Sequence, residues 1–168
     1  MCGLVWRCPC ITIAAMSFER DIVEAQIALG LIASHDMPKV AWDALEFGLD
    51  GPAIRRLAAL DFPTYFEVRD ILPRAMKEMG LVEIDKRTAA LRLARIRAQA
   101  ILESGDDLLI HTKDFERLWI DAGYPRELTQ IGNLDDEVFI ASGSQSDDEL
   151  RELIAARLSE LIRNGEPT

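Results

Sequence analysis

"ALEFGLDGPAIRRLAAL", residues 44–60, decides the fold. An apolar run, Ala44-Leu45-Glu46-Phe47, meets Gly48-Leu49-Asp50-Gly51-Pro52, and a second run carrying Arg55 and Arg56 follows at once. Glycine stops a helix readily, and proline is tolerated in the first turn, where its missing N–H has no intrahelical partner to lose. The stretch therefore reads as two helices joined by a short turn. Such a pair is either an αα-hairpin or a helix-turn-helix that reads DNA. A DNA reader needs base-contacting side chains at the start of its second helix and cations around them. Here that helix opens on Pro52, Ala53 and Ile54, and Asp43, Glu46, Asp50 and Asp61 surround the two arginines. Two arginines fall short of the several phosphate contacts that dominate affinity. The αα-hairpin is the better reading. A DNA-binding transcriptional regulator using residues 36–60 stands as the alternative.

The same grammar of caps and stops extends in both directions. Upstream, Phe18, Ile22, Ala25, Ile27 and Leu29 predict a helix over 18–29, stopped by Gly30. Ser34 or Asp36 then caps a helix with Pro38 in its first turn. Asp50 is the expected cap of the helix after it. Thr64 caps a fourth helix to Met79, in which Pro73 predicts a kink or a split after Ile71. Asp85 caps a long helix over 86–103, stopped by Gly105. Residues 112–122 form another, with Phe115, Leu118 and Trp119 inward, and Trp42 is likewise expected in the core. Residues 123–146 contain Gly123, Pro125, Gly132 and Gly143 and read as a long acidic loop with one short helix. There "DDEVFIAS" fits a turn of helix or a short strand equally well. Ser146 and Asp147 cap the last helix, whose apolar stripe is Leu150, Leu153, Ile154, Leu158, Leu161 and Ile162. With no alternating run, the expectation is an all-α single-domain bundle of six or seven helices over 16–168.

Charge is unevenly spread. The formal net charge is -10 over 168 residues. Residues 1–102 hold thirteen basic and thirteen acidic side chains, residues 103–152 hold four and fourteen, and residues 153–168 hold two of each. One fifty-residue segment thus carries all of the net charge. An acidic field repels phosphates and attracts basic surfaces. Within "KRTAALRLARIRAQ" the arginines ring the helix: Arg92 and Arg95 lie about 60° apart, with Arg87 and Arg97 on another side. Ion pairing with the acidic segment is the expected role for them.

Cys2, Cys8 and Cys10 fall within the first ten residues, unlike the spread cysteines of a disulfide scaffold. "CPC" lacks a fourth ligand and the usual spacer for zinc. "CITIAA" is too short to span a membrane, and the stretch before Met16 makes a poor signal peptide. "MSFERDIVEAQIALG" looks like a natural beginning. Residues 1–15 are therefore expected to be a disordered tail or an extension upstream of a start at Met16. A cytoplasmic protein with no membrane span is expected.

Catalytic inventory is thin. His35 and His111 are the only imidazoles, in "SHD" and "IHTKD". His35 is expected near solvent and His111 half-buried. No GxSxG elbow, Walker loop, GxGxxG or HExxH appears. The acidic pairs Asp106-Asp107, Asp135-Asp136-Glu137 and Asp147-Asp148-Glu149 lack EF-hand spacing. The reading carries no catalytic, cofactor or metal residue and points away from an enzyme. A hydrolase built on His111 and nearby carboxylates is the remaining catalytic option.

At "GLIASHDMPKVAWDALEFGLDGPAIRRLAAL" the chain resembles a group of small helical bacterial proteins with no assigned activity. The shared residues are Gly30-Leu31-Ile32, Pro38, Ala44-Leu45-Glu46, Gly48, Asp50, Pro52 and Arg56-Leu57-Ala58, then Glu67-Val68-Arg69 and Glu78-Met79-Gly80-Leu81. The resemblance spans residues ~17–100 and implies a fold, with no catalytic or ligand residue. In size and charge the chain is also similar to immunity proteins that mask a toxin. The expected function is a non-catalytic interaction protein, of immunity or regulatory type, masking a basic partner. Its expected partner-binding residues are Asp114, Glu116, Asp121, Asp135, Asp136 and Glu137. Clustered carboxylates on a loop-rich segment speed encounter with basic surfaces.

Overall fold

The computed structural model describes residues 18–164. The three cysteines, Trp6 and the whole of the expected 1–15 extension lie outside the described residues. Among the described residues the chain is all helical and has no strand. Eight helices of seven residues or more are joined by one single-turn α-segment and three short 3₁₀ turns. In order they are α1 (Arg20–Leu29), α2 (Met37–Glu46), α3 (Pro52–Ala58), α4 (Tyr65–Met79), α5 (Lys86–Ser104), α6 (Thr112–Asp121), α7 (Thr129–Gly132, the single turn), α8 (Leu134–Ala141) and α9 (Asp147–Arg163).

The chain divides into two compact units. The first is built on Ser34–Gly80, and the second on Arg20–Ala33 together with the chain from Leu81.

In the first unit α3 packs on both α2 and α4. Ala41, Ala44, Ile54, Leu57, Ala75 and Met79 are buried there. The helix ends follow local chemistry. Thr64 and Glu67 form a reciprocal capping box: Thr64 N–H donates to the Glu67 carboxylate at 2.8 Å, and Glu67 N–H donates to Thr64 Oγ1 at 3.4 Å. Gly80 closes α4 in the left-handed region at φ 70°, which only glycine adopts without steric cost.

Three expectations for this unit are corrected. Gly51, not Asp50, occupies the cap position of α3, because the Asp50 carboxylate is bound to the Arg55 guanidinium. The α3 N–H groups are met from a distance: Glu78 Oε2 accepts from Ala53 N at 2.8 Å and from Ile54 N at 3.0 Å. Pro73 does not split α4, which runs unbroken through an exposed position where water can take the freed carbonyl. Trp42 is 55% exposed, because α2 turns Met37, Ala41 and Ala44 inward instead.

In the second unit α5 is the central helix, packed against α1 and α9. Its inward face is mostly alanine (Ala89, Ala90, Ala94 and Ala98, with Leu93 and Ile101), so neighbouring backbones can approach closely. Glu24 on α1 is buried among them. It accepts from Val82 N at 2.8 Å and pairs with Arg92 at 2.6 Å, which satisfies both carboxylate oxygens. Arg92 thus pairs with α1, through Glu24 and Asp21, and not with the acidic segment. Arg87 does reach that segment, at Glu127.

Residues 123–146 are mainly helical, holding a 3₁₀ turn (Arg126–Leu128), α7 and α8, where a long loop was expected. The glycine that suggested a loop has a packing role. Gly132 is buried in α7, and an added Cβ would lie 2.5 Å from the Trp119 indole. Trp119 in turn donates Nε1–H to the Pro125 carbonyl at 3.1 Å.

Candidate functional site

α6, α7 and α8 pack on one another within the second unit, and α6 and α8 carry six of the fourteen acidic side chains of residues 103–152. The entrance to α6 is built by Asp107. Its carboxylate accepts from Leu109 N at 3.3 Å and from Arg151 of α9 at 3.0 and 3.4 Å. Those bonds, the Arg151 one first, hold the Asp107 carboxyl below the usual carboxylate range. Thr112, the first residue of α6, is buried and donates its hydroxyl to Asp135 at 2.6 Å. Asp135 is thereby a tie between α6 and α8. Glu137 lies 3.7 Å from Arg157 of α9.

Of the six expected partner-binding residues, Asp135 is therefore engaged within the fold and Glu137 lies near an arginine. Asp114 and Asp136 are exposed, while Glu116 and Asp121 are half-exposed. All six sit on α6 and α8, which pack together.

Sequence reasoning missed the apolar part of this surface. Phe139 is 80% and Ile140 77% exposed at the end of α8, a helix whose first turn is Asp135-Asp136-Glu137. A signal was present. Val138, Phe139 and Ile140 are consecutive, and three successive helical residues sweep about 200°, so a short helix cannot bury all of them.

His111 is mostly buried, and its ring lies between two carboxylates without bonding either. Nε2 is 4.0 Å from Asp106, Nδ1 is 3.9 Å from Asp114, and Nε2 has no hydrogen-bond partner. A general base oriented by a carboxylate needs about 2.6–3.2 Å. His35 is exposed, as expected, with Asp36 3.5 Å away. On the opening hairpin, the Arg55 side chain is occupied by Asp50, and Arg56 is exposed. Among the described residues no group of three or more His, Cys, Asp or Glu side chains is placed to hold a metal ion. No described helix is long and apolar enough to cross a membrane.

Comparison of the chain with protein-family models, with curated proteins and with solved structures finds no match.

Proposed function

We propose that the protein is a non-catalytic interaction protein, of immunity or regulatory type, that docks a basic partner on the α6–α8 surface. The observation that carries this reading is the pairing of Phe139 and Ile140, both well exposed, with the acidic first turn of the same helix. Interfaces commonly join a few apolar or aromatic anchors to a charged rim. The anchors supply residence time, and the carboxylates steer encounter. Asp114, Glu116, Asp121 and Asp136 form the rim, while Asp135 serves the fold through Thr112. The DNA-reading alternative rests on Arg55 and Arg56, and Asp50 already neutralises the first. One cation does not match the phosphate contacts that DNA affinity requires.

Two variants of the full chain test the proposal in affinity capture from the source cells, followed by kinetics on the captured protein. Phe139→Ala with Ile140→Ala removes the anchors and is expected to abolish capture while leaving the melting temperature within a few degrees. Asp114→Asn, Asp121→Asn and Asp136→Asn together are expected to slow association about tenfold at low salt, with the difference vanishing at high salt. Identical partners at identical salt sensitivity for all three proteins would overturn the reading.

A further inference from the structure

Four arginines of the described chain are partly buried: Arg92, Arg95, Arg151 and Arg157. Two of them are paired with carboxylates at hydrogen-bond distance. Arg92 meets Glu24 at 2.6 Å and Asp21 at 3.1 Å, and Arg151 meets Asp107 and Asp148 at 3.0 Å each. The other two are not. Arg95 makes one long bond, Nε to the Leu161 carbonyl at 3.4 Å. Arg157 lies 3.7 Å from Glu137 and 3.9 Å from Glu160, beyond hydrogen-bond reach of either, and its buried Nε has no acceptor. In a chain with a formal net charge of -10, two half-buried guanidinium groups short of acceptors are unexpected.

Both line the same cavity, of about 180 Å³, formed by α5, α7 and α9 within the second unit. Its apolar lining is Leu91, Ile131 and Leu161, and the amides of Gln130 and Asn164 complete the polar part. Of the two lining carboxylates, Glu127 is already held by Arg87. Glu160 is 41% exposed and lies 3.9 Å from Arg157.

We infer that this cavity is a binding site for a small organic acid: a carboxylate held by Arg95 and Arg157, with a short branched apolar body on Leu91, Ile131 and Leu161. Guanidinium groups present planar forks of donors that match a carboxylate two bonds at a time. A bound carboxylate would supply acceptors to the guanidinium groups that line the cavity. The apolar residues select against a bare inorganic anion, which would leave them in contact with water. The site is separate from the exposed α8 anchors.

The probe is isovalerate, titrated into the full-length protein and followed by the methyl resonances of Ile131 and Leu161. Isoamyl alcohol serves as its neutral counterpart and inorganic phosphate as the bare anion. Saturable shifts are expected for isovalerate, with a dissociation constant on the order of a millimolar or below. Neither control should saturate in that range. Arg95→Gln and Arg157→Gln should each weaken binding by about tenfold or more, and Arg157→Lys by less, because a lysine keeps the charge and loses the fork. Arg97→Gln, at an exposed position of α5, should change nothing. Absence of saturation by isovalerate, equal binding of the alcohol or of phosphate, or an equal effect of Arg97→Gln would overturn the assignment.

Discussion

Each unit of the molecule relies on one glutamate that acts far from its own helix and on one glycine that clears space. They combine differently. In the first unit both serve a single contact. Glu78 satisfies the N-terminal N–H groups of α3, and Gly51 leaves room for that carboxylate, since an added Cβ would lie 2.2 Å from Glu78 Oε2. In the second unit they serve two contacts. Glu24 joins Val82 and Arg92 to α1, whereas Gly132 makes room for the Trp119 ring. The lesson is that a glycine beside a flexible carboxylate and a glycine beneath an indole are different constraints, although neither has a positive φ.

The largest effect should come from Gly132→Ala. An indole packed at that distance cannot swing aside as a carboxylate can, so overpacking should cost about 3 kcal/mol in chemical denaturation. Glu24→Leu should follow at about 2–3 kcal/mol, because it strips Val82 N–H and Arg92 of a buried acceptor. Glu78→Ala should cost about 1–2 kcal/mol, the scale of a lost helix cap, with Glu78→Gln milder because the amide oxygen still accepts. Gly51→Ala should cost about 1 kcal/mol, by displacing Glu78. Comparable in size is the coupling between sites. Gly51→Ala and Glu78→Ala should be non-additive by about 1 kcal/mol, since either alone disables the same cap, whereas Gly132→Ala and Glu24→Leu should add to within about 0.5 kcal/mol. Additivity in the first unit would dissolve the contrast. Trp42 reports on one unit and Trp119 on the other, so variants keeping a single tryptophan make the comparison local.

The smallest effect is on the acid side, and both units share it. Glu67 and Glu149 have carboxyls held below their ordinary range by the backbone N–H and then the hydroxyl of their capping partners, Thr64 and Ser146. A carboxyl whose folded value is depressed contributes stability above its unfolded value and loses it as pH falls through the folded one. Each unit should therefore weaken as pH drops below about 4, the ordinary carboxylate range. Glu67→Gln should flatten that acid-side slope for the first unit and Glu149→Gln for the second. An unchanged slope in paired melts at neutral and acid pH would contradict this.

What was readable in the chain follows from the range of the interaction. Thr64, Asp85, Ser146, Gly80 and Gly105 act within a few residues of themselves, and each ends its helix where expected. The roles of Glu24 and Glu78 were hidden, because their partners stand 58 or 68 and 24 or 25 residues away. A trace did exist: Glu78 continues the buried stripe of Val68, Ile71 and Ala75 on α4, where an acid has no business without a donor. Residues 123–146 were misread because glycine suggests a turn unless the ring above it is known. The acidic site was legible as charge, since charge is a sum over sequence. Its exposed anchors were not, because the expectation that apolar residues lie inside runs one way only.

The second unit is interrupted in sequence. α1 belongs with α5, yet the whole of Ser34–Gly80 is threaded between them. Were that stretch unstructured, the pairing of α1 with α5 would close a long loop before any burial rewarded it, each doubling of length adding about 0.6 kcal/mol. A folded insert shortens the closure to a hop. The contacts of α2–α4 are local in sequence, whereas that of α1 with α5 spans the insert.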